Sequence, residues 1–315
     1  YAGEMIKAVL NKSAAMRGFR HKQMSAKQQR IAVLSAFPTA AFVNPTDVGQ
    51  KSTTNLTWQN KFLEAEPIAC IIPIPEDVMD DADLDWEEIK PYAAEAIAIA
   101  LDNAVFFGVG KPASWPTAII PAAIAAGNVV VAGTSTVDLA DDINNVMAAV
   151  EADGFDINGF FGRQQLKAKL RGLRTADKAL LFQPEGPANV GVSNANEPSG
   201  EDGRLFSEPI YFSKAGFAGF ATGAANYSLV AGDFNQGVLG IRKDITYKVL
   251  TEATLYDTDG TTVLYKLAQQ DMVALRVVTR VGFQVPNPIN RMQPTEGSRY
   301  PFGVLQQKAS TGGEG

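Results

Sequence analysis

The chain is 315 residues long, 46% hydrophobic and 20% charged, enough to bury a real core as one large or two modest domains. Its single cysteine, Cys70, excludes intrachain disulfides and cysteine-cluster metal sites, and its single histidine, His21, leaves any triad, Cys–His pair or histidine metal site resting on one residue in a basic stretch. The net charge of -6 hides an asymmetry: residues 1–45 carry seven Lys and Arg against Glu4 alone, whereas residues 46–110 carry thirteen Asp and Glu against three Lys. Such a split suggests a basic arm that lies on an acidic surface or faces nucleic acid.

In chain order, residues 4–16 and 23–35 have helical spacing of apolar positions, with Gly18 as a break, and predict an arm with little core of its own. The opening Tyr1 implies either a cleaved leader or numbering that begins inside the gene product; no secretory signal is visible, so synthesis in the cytosol is expected. From Val43 to Pro75 the pattern turns extended. It predicts two long strands joined as a hairpin with a polar tip at 49–55, and such a ribbon is marginal alone in water. Cys70, inside this apolar run, is expected to be a buried small hydrophobe.

Eight carboxylates follow in residues 76–88. Glu76 and Asp77 open a short helix, and Asp83 or Asp85 opens a long one. Ile89, Ala93, Ala96, Ile97, Ala100, Leu101, Ala104 and Phe107 mark its apolar face, and Gly108 and Gly110 stop it. From Trp86 to Phe107 it would run about 33 Å. Carboxylates favour the positive end of a helix dipole, which accounts for the cluster. A calcium loop is excluded, because Asp81, Asp83 and Asp85 are followed by Trp86 where glycine is needed and by Tyr92 where a bidentate Glu should stand.

Residues 129–250 alternate strands (129–131, 157–161, 180–182) with helices (138–152, 164–173), which is α+β or α/β material. The Pro-, Gly- and Asn-rich stretch between Gln183 and Arg204 predicts a long loop, mobile or ordered by a partner. Strands are expected at 238–241 and 246–250, then a hairpin at Asp259-Gly260. The last strand sets Val273, Leu275, Val277, Thr279, Val281, Phe283 and Val285 on one face against Arg276, Arg280 and Gln284 on the other. The tail after Pro288 reads as loosely held.

Enzyme motifs are missing. Gly108-Val109-Gly110-Lys111 glances at a phosphate loop, but Val105 and Pro112 stand at two of its required positions and the stretch follows a helix. No GxGxxG or GxSxG occurs, so no enzyme, cofactor or metal site is expected. The apolar stretches 92–109 and 119–133 are interrupted by Glu95 and Asp102, or by Pro121, Gly127 and Asn128, so neither is expected to enter a membrane.

Two segments, AEPIACIIPIPEDVMDDADLDWEEIKPYAAEAIAIALDNAVFFGVG from Ala65 and LYKLAQQDMVALRVVTRVGFQVPNP from Leu264, resemble the major capsid proteins of tailed double-stranded DNA bacteriophages, whose shell fold is shared with encapsulins. Asp102, Gly108, Asp271, Arg276, Arg280 and Gly282 match the positions of the family's "D-x-A-x-x-x-G" and "D-x-V-A-L-R…R-x-G" patterns. The resemblance implies an α+β shell fold: an N-terminal arm (1–45), an extended β-hairpin loop (46–74), a peripheral domain with a spine helix (75–128), an axial domain (129–250), and a peripheral return with the C-terminal tail (251–315). It implies a virion protein that forms hexamers and pentamers of an icosahedral shell, with scaffolding, portal and decoration proteins and packaged DNA as partners. An encapsulin-type compartment is the alternative. Candidate subunit-contact residues are Arg17, Arg20, Lys22, Lys51, Trp58, Lys61, Asp80, Asp81, Asp83, Arg276 and Arg280. Part of the family crosslinks a loop Lys to a peripheral Asn, for which Lys51 or Lys61 with Asn287 or Asn290 would be the pairs here.

Overall fold

The computed structural model describes residues 13–40, 42, 53–81, 86–132, 139–172, 182–184, 203–213, 226–257 and 260–307. The part of the expected 4–16 helix before Ser13, residues 49–52 of the expected 49–55 tip with Lys51, Asp83, Asp85, Asp259 and most of the 183–204 loop lie outside them.

Two sheets organise the chain. The first has five strands in the order β1-β10-β13-β3-β2, where β1 is Arg20–Gln23, β2 Gln28–Ala36, β3 Thr57–Pro75, β10 Val238–Leu250 and β13 Met272–Gln284. The second has seven, in the order β4-β14-β9-β5-β8-β7-β6, from Val129–Val131 (β4), Gly159–Arg163 (β5), Phe182–Pro184 (β6), Gly203–Leu205 (β7), Glu208–Ser213 (β8), Asn226–Gly232 (β9) and Phe302–Gln307 (β14). Thr254–Tyr256 (β11) and Val263–Lys266 (β12) form a separate hairpin, with Gly260 at positive φ in its turn.

The helices are α1 (Ala14–Gly18), α2 (Glu76–Asp81), α3 (Trp86–Asp102), α4 (Ile119–Ala126), α5 (Leu139–Ala152) and α6 (Leu166–Gly172). The expected long helix is α3 extended by a π turn over Asn103–Phe107, which ends on Gly108 in the left-handed region. The wide turn lets four consecutive residues, Ala104 to Phe107, face the core. Of the expected apolar face, Ala96 and Ala100 are exposed instead.

One continuous core joins the sheets. It contains α3 with Leu275, Val277, Val281 and Phe283 of β13, and it also holds Phe161, Val230, Phe302 and Val304 of the seven-stranded sheet. Phe106 stacks on Phe161 with ring centroids 3.8 Å apart. On the opposite face of that sheet, Ile143 and Val146 of α5 and Leu166 and Leu170 of α6 cover Phe160, Ile210, Leu229 and Leu305. Phe160 and Phe161 are therefore both buried, on opposite faces, as period-2 side chains in a sheet covered on both sides must be.

Several expectations are corrected. Residues 28–36 form a strand, not a helix, because Gln29, Ile31 and Val33 alternate inward and the extended run of β3 needs a pairing partner. The hairpin is accordingly β2 with β3, one 19-residue strand whose first half pairs with β2 and whose second half pairs with β13. The arm does own core: Ala14, Ala15, Met16 and Phe19 are buried, and the Phe19 ring lies 5.3–6.2 Å from those of Phe234, Phe106, Phe302 and Phe283. Residues 302–307, expected within a loosely held tail, form a strand instead. β14 runs between β4 and β9, with Phe302, Val304 and Leu305 fully buried. The two stretches 238–241 and 246–250 are one bulged strand, β10, of the five-stranded sheet. Cys70 is only half-buried, and burial pushes its thiol up.

Candidate subunit-contact surfaces

The β2–β3 ribbon has one seated face and one open face. On the seated side Val33 and Leu63 are buried, Lys61 Nζ donates to Glu296 Oε1 at 2.7 Å, and the Ile289 amide donates to the Leu34 carbonyl at 3.3 Å. The Arg291 guanidinium lies 5.1 Å from the Phe37 ring centroid. Lys61, expected to reach a neighbour, is thus engaged inside its own chain, where its hydrogen bond holds the Glu296 carboxyl below the ordinary carboxylate range. The register sets Leu34 opposite Trp58 and Arg30 opposite Phe62 on the other face, where Trp58 is 59% and Phe62 45% exposed.

The basic candidates of the arm separate. Arg17 faces inward: its Nη2 donates to the Phe212 carbonyl at 2.8 Å and its guanidinium lies 5.8 Å from the Tyr211 ring. Arg20 is exposed and Lys22 half-buried, both on β1 at the edge of the five-stranded sheet, and His21 stands exposed between them. Asp80 and Asp81 lie on α2, which leaves the sheet at Pro75 as the Glu76 amide donates to the Asp271 carbonyl at 2.9 Å.

Arg276 and Arg280 are exposed on the face of β13 turned away from α3. Gln284, expected beside them on the outer face, is buried instead. Its Nε2 donates to the Phe62 carbonyl at 2.8 Å, and its Oε1 accepts from the Val285 amide.

Asp102 is the residue whose role the sequence concealed. Only 1% exposed, it accepts from Ser13 Oγ at 2.6 Å and from the Ala14 and Ala15 amides at 3.1 Å each, and so ties the start of α1 to the end of α3. Burial pushes its carboxyl up to about 6, against the hydrogen bonds of Ser13, Ala15 and Ala14 and the charge of Arg17, which pull it down. The available signal was an acidic residue near the negative end of a helix dipole, which needs a compensating partner.

A second buried polar cluster links the last strands. Asp153 accepts from Asn128 Nδ2 at 2.7 Å and from the Tyr300 amide at 2.9 Å, while Arg299 donates to the carbonyls of Pro288, Pro294 and Asn287. Asn287 Nδ2 donates to the Arg299 carbonyl and Asn290 Nδ2 to that of Asp153. Among the described residues, no three His, Cys, Asp or Glu side chains gather as a metal site. None of the described helices is long and apolar enough to cross a membrane.

The profile of the phage capsid family matches residues 2–291. The chain belongs to the phage capsid family. It is a structural subunit of a capsid shell, and its place is in the virion. A solved chain from Microbacterium phage Oxtober96 is 37% identical, with 94% of this chain and 91% of that one covered and a TM-score of 0.74. One from Mycobacterium phage Adephagia is 29% identical over 95% and 91%, also at 0.74. A chain titled as the capsid of an empty GTA particle computed with C5 symmetry is 16% identical over 94% and 90% at 0.61, and shares the fold. No curated protein sequence matches the chain.

The capsid motif residues have structural reasons. Gly108 carries the left-handed end of the spine helix at φ 77, and Asp271 takes φ 48 in the turn that opens β13. A Cβ on Gly282 would stand 2.7 Å from the Glu64 carbonyl oxygen, so this glycine lets β13 and β3 approach. The two asparagines proposed for crosslinking are held by their own chain, and Lys61 is hydrogen-bonded to Glu296.

Proposed function

We propose that copies of this capsid subunit close into hexamers and pentamers of an icosahedral shell around phage double-stranded DNA, assembled in the host cytoplasm. Scaffolding, portal and decoration proteins would be its partners, and the exposed arginines of the arm would meet DNA non-specifically. One observation carries the reading: a subunit with a closed, continuous core holds out a ribbon face on which Trp58 and Phe62 are uncovered. Large aromatic side chains are the typical anchors of protein interfaces. In this arrangement the ribbon of β2 with the first half of β3 lies over a neighbour and residues 75–128 supply the spine. Residues 129–250, with β14 in place of β10, meet around the capsomer axes, and the rest of 251–315 completes the peripheral domain.

Expression of the full chain, alone and with a co-expressed scaffolding protein, followed by negative-stain imaging tests this. Closed shells with five- and six-fold capsomers are expected. Monodisperse small particles under every condition would overturn it.

A further inference from the structure

The outer face of the five-stranded sheet holds an arrangement that a solvated surface does not favour. Across β10 and β13, Lys248 stands directly opposite Arg276, and Lys243 is in register with Arg280. Like charges directly opposite in an antiparallel pair are destabilising, yet this face carries Lys248 against Arg276, with Arg280 exposed further along the same strand. Arg276, Arg280 and Lys248 are exposed, and none forms an ion pair with a described carboxylate. An anionic occupant would relieve the repulsion.

The face is also apolar between its charges. Ile71, which pairs with Arg276, is 43% exposed, and Ala69 beside Val278 is exposed as well. Alternating cations and hydrocarbon suit a protein surface better than a row of phosphates.

The edge beside this face is poor in donors for strand addition. Because the Ala65 amide donates to Lys27 on the β2 side, the odd-numbered backbone groups of β3 point to that side, and β2 ends opposite Glu64. Beyond it three of the five odd positions, 67, 73 and 75, are proline, which has no N–H to offer, and Ala69 and Ile71 alone keep one. The prolines disfavour an added strand, which leaves the side chains of the face as the better docking surface.

From these observations, and resting on the shell function proposed above, we infer that this face receives the acidic α2 corner of a second copy of the chain. Residues 76–88 carry eight carboxylates and no Lys or Arg, and α2 presents exposed Glu76 and Asp77 beside Val78, itself 47% exposed. Charge and hydrocarbon thus complement the Arg276–Arg280 face in both respects. A chain's own α2 cannot serve. It leaves the sheet past Pro75, four residues along β3 from the partner of Arg276, or about 13 Å.

A charge swap in the full chain tests the contact. Arg276→Glu with Arg280→Glu, and separately Asp80→Lys with Asp81→Lys, should each leave the subunit's melting temperature within a few degrees of wild type. Each should also reduce the fraction sedimenting as shells at least tenfold, and the four substitutions together should restore shells. The Lys substitutions fall in the last turn of α2, where the dipole favours cations, so the helix should tolerate them. Wild-type yields of shells from either double variant, or no recovery in the combination, would overturn the proposal while leaving the shell function standing. Normal shells with reduced DNA content from the arginine variant would overturn it in favour of phosphate binding. Absence of shells from the wild-type chain under all conditions would sink the shell function and this contact with it.

Discussion

Asp102 stands where an acidic side chain is least welcome, near the carbonyl end of a helix and out of water, and it is kept there by three donors from the arm. Its carboxyl, raised to about 6 from an ordinary 3.8, binds its proton more tightly in the folded subunit than in the unfolded chain. The sign follows by linkage. This group's stabilising contribution is fully present below about pH 4 and is lost as pH rises through 6. Urea denaturation of the unassembled subunit at pH 4.5 to 7.5 should therefore show wild type losing stability relative to Asp102→Asn as pH rises, whereas a constant difference would show a carboxyl titrating normally. Asp102→Ala, which leaves the Ala14 and Ala15 amides and the Ser13 hydroxyl without their acceptor, should cost on the order of 3 kcal/mol at pH 4.5 and less as pH rises through 6. In the sequence Asp102 was visible only as a motif position, because its partners lie 87 to 89 residues away. Gly108 was legible as a helix stop, since a local φ requirement leaves a local signature.

Elements with a strong period of their own were readable: α3 with its Gly108 end, and β13 with Arg276 and Arg280 out and Leu275 to Phe283 in. β2 was misread as helix because Ala26, Ile31 and Leu34 fit a helical spacing by chance, while its strand state depends on pairing with β3, thirty residues on. β14 was missed for a similar reason: short and preceded by turn residues, it is specified by the gap between β4 and β9 that it fills. The ribbon built on β2 carries a prediction at this scale. Trp58→Ala with Phe62→Ala removes side chains that are largely exposed in the subunit, so its unfolding free energy should change by no more than about 0.5 kcal/mol per site. Assembly should nevertheless fall sharply, read by sedimentation of shells. A destabilised subunit would mean that these aromatics serve the ribbon itself rather than a neighbour.

At the scale of the molecule, the two sheets share one hydrophobic core in which Phe19, Phe106, Phe161, Phe283 and Phe302 all take part. Asn128, Asp153, Asn287 and Arg299 tie the segment after β13 to the start of β14 by buried hydrogen bonds. A division into independently stable peripheral and axial units does not fit such a core. Scanning calorimetry of the unassembled subunit should therefore give a single transition, with calorimetric and van't Hoff enthalpies equal; two resolved transitions would show that the shared core does not couple the sheets. The sequence by itself determined the family, the long helix α3, and the inward and outward faces of β13, because each is written in local spacing. Only the tertiary structure decided that the arm is stapled to α3 through Asp102, that the ribbon draws its second strand from residues 28–36, and that residues 302–307 form a strand between β4 and β9. Those features rest on pairings between residues far apart in the chain, whose energy comes from contacts and shared hydrogen bonds that no local pattern encodes.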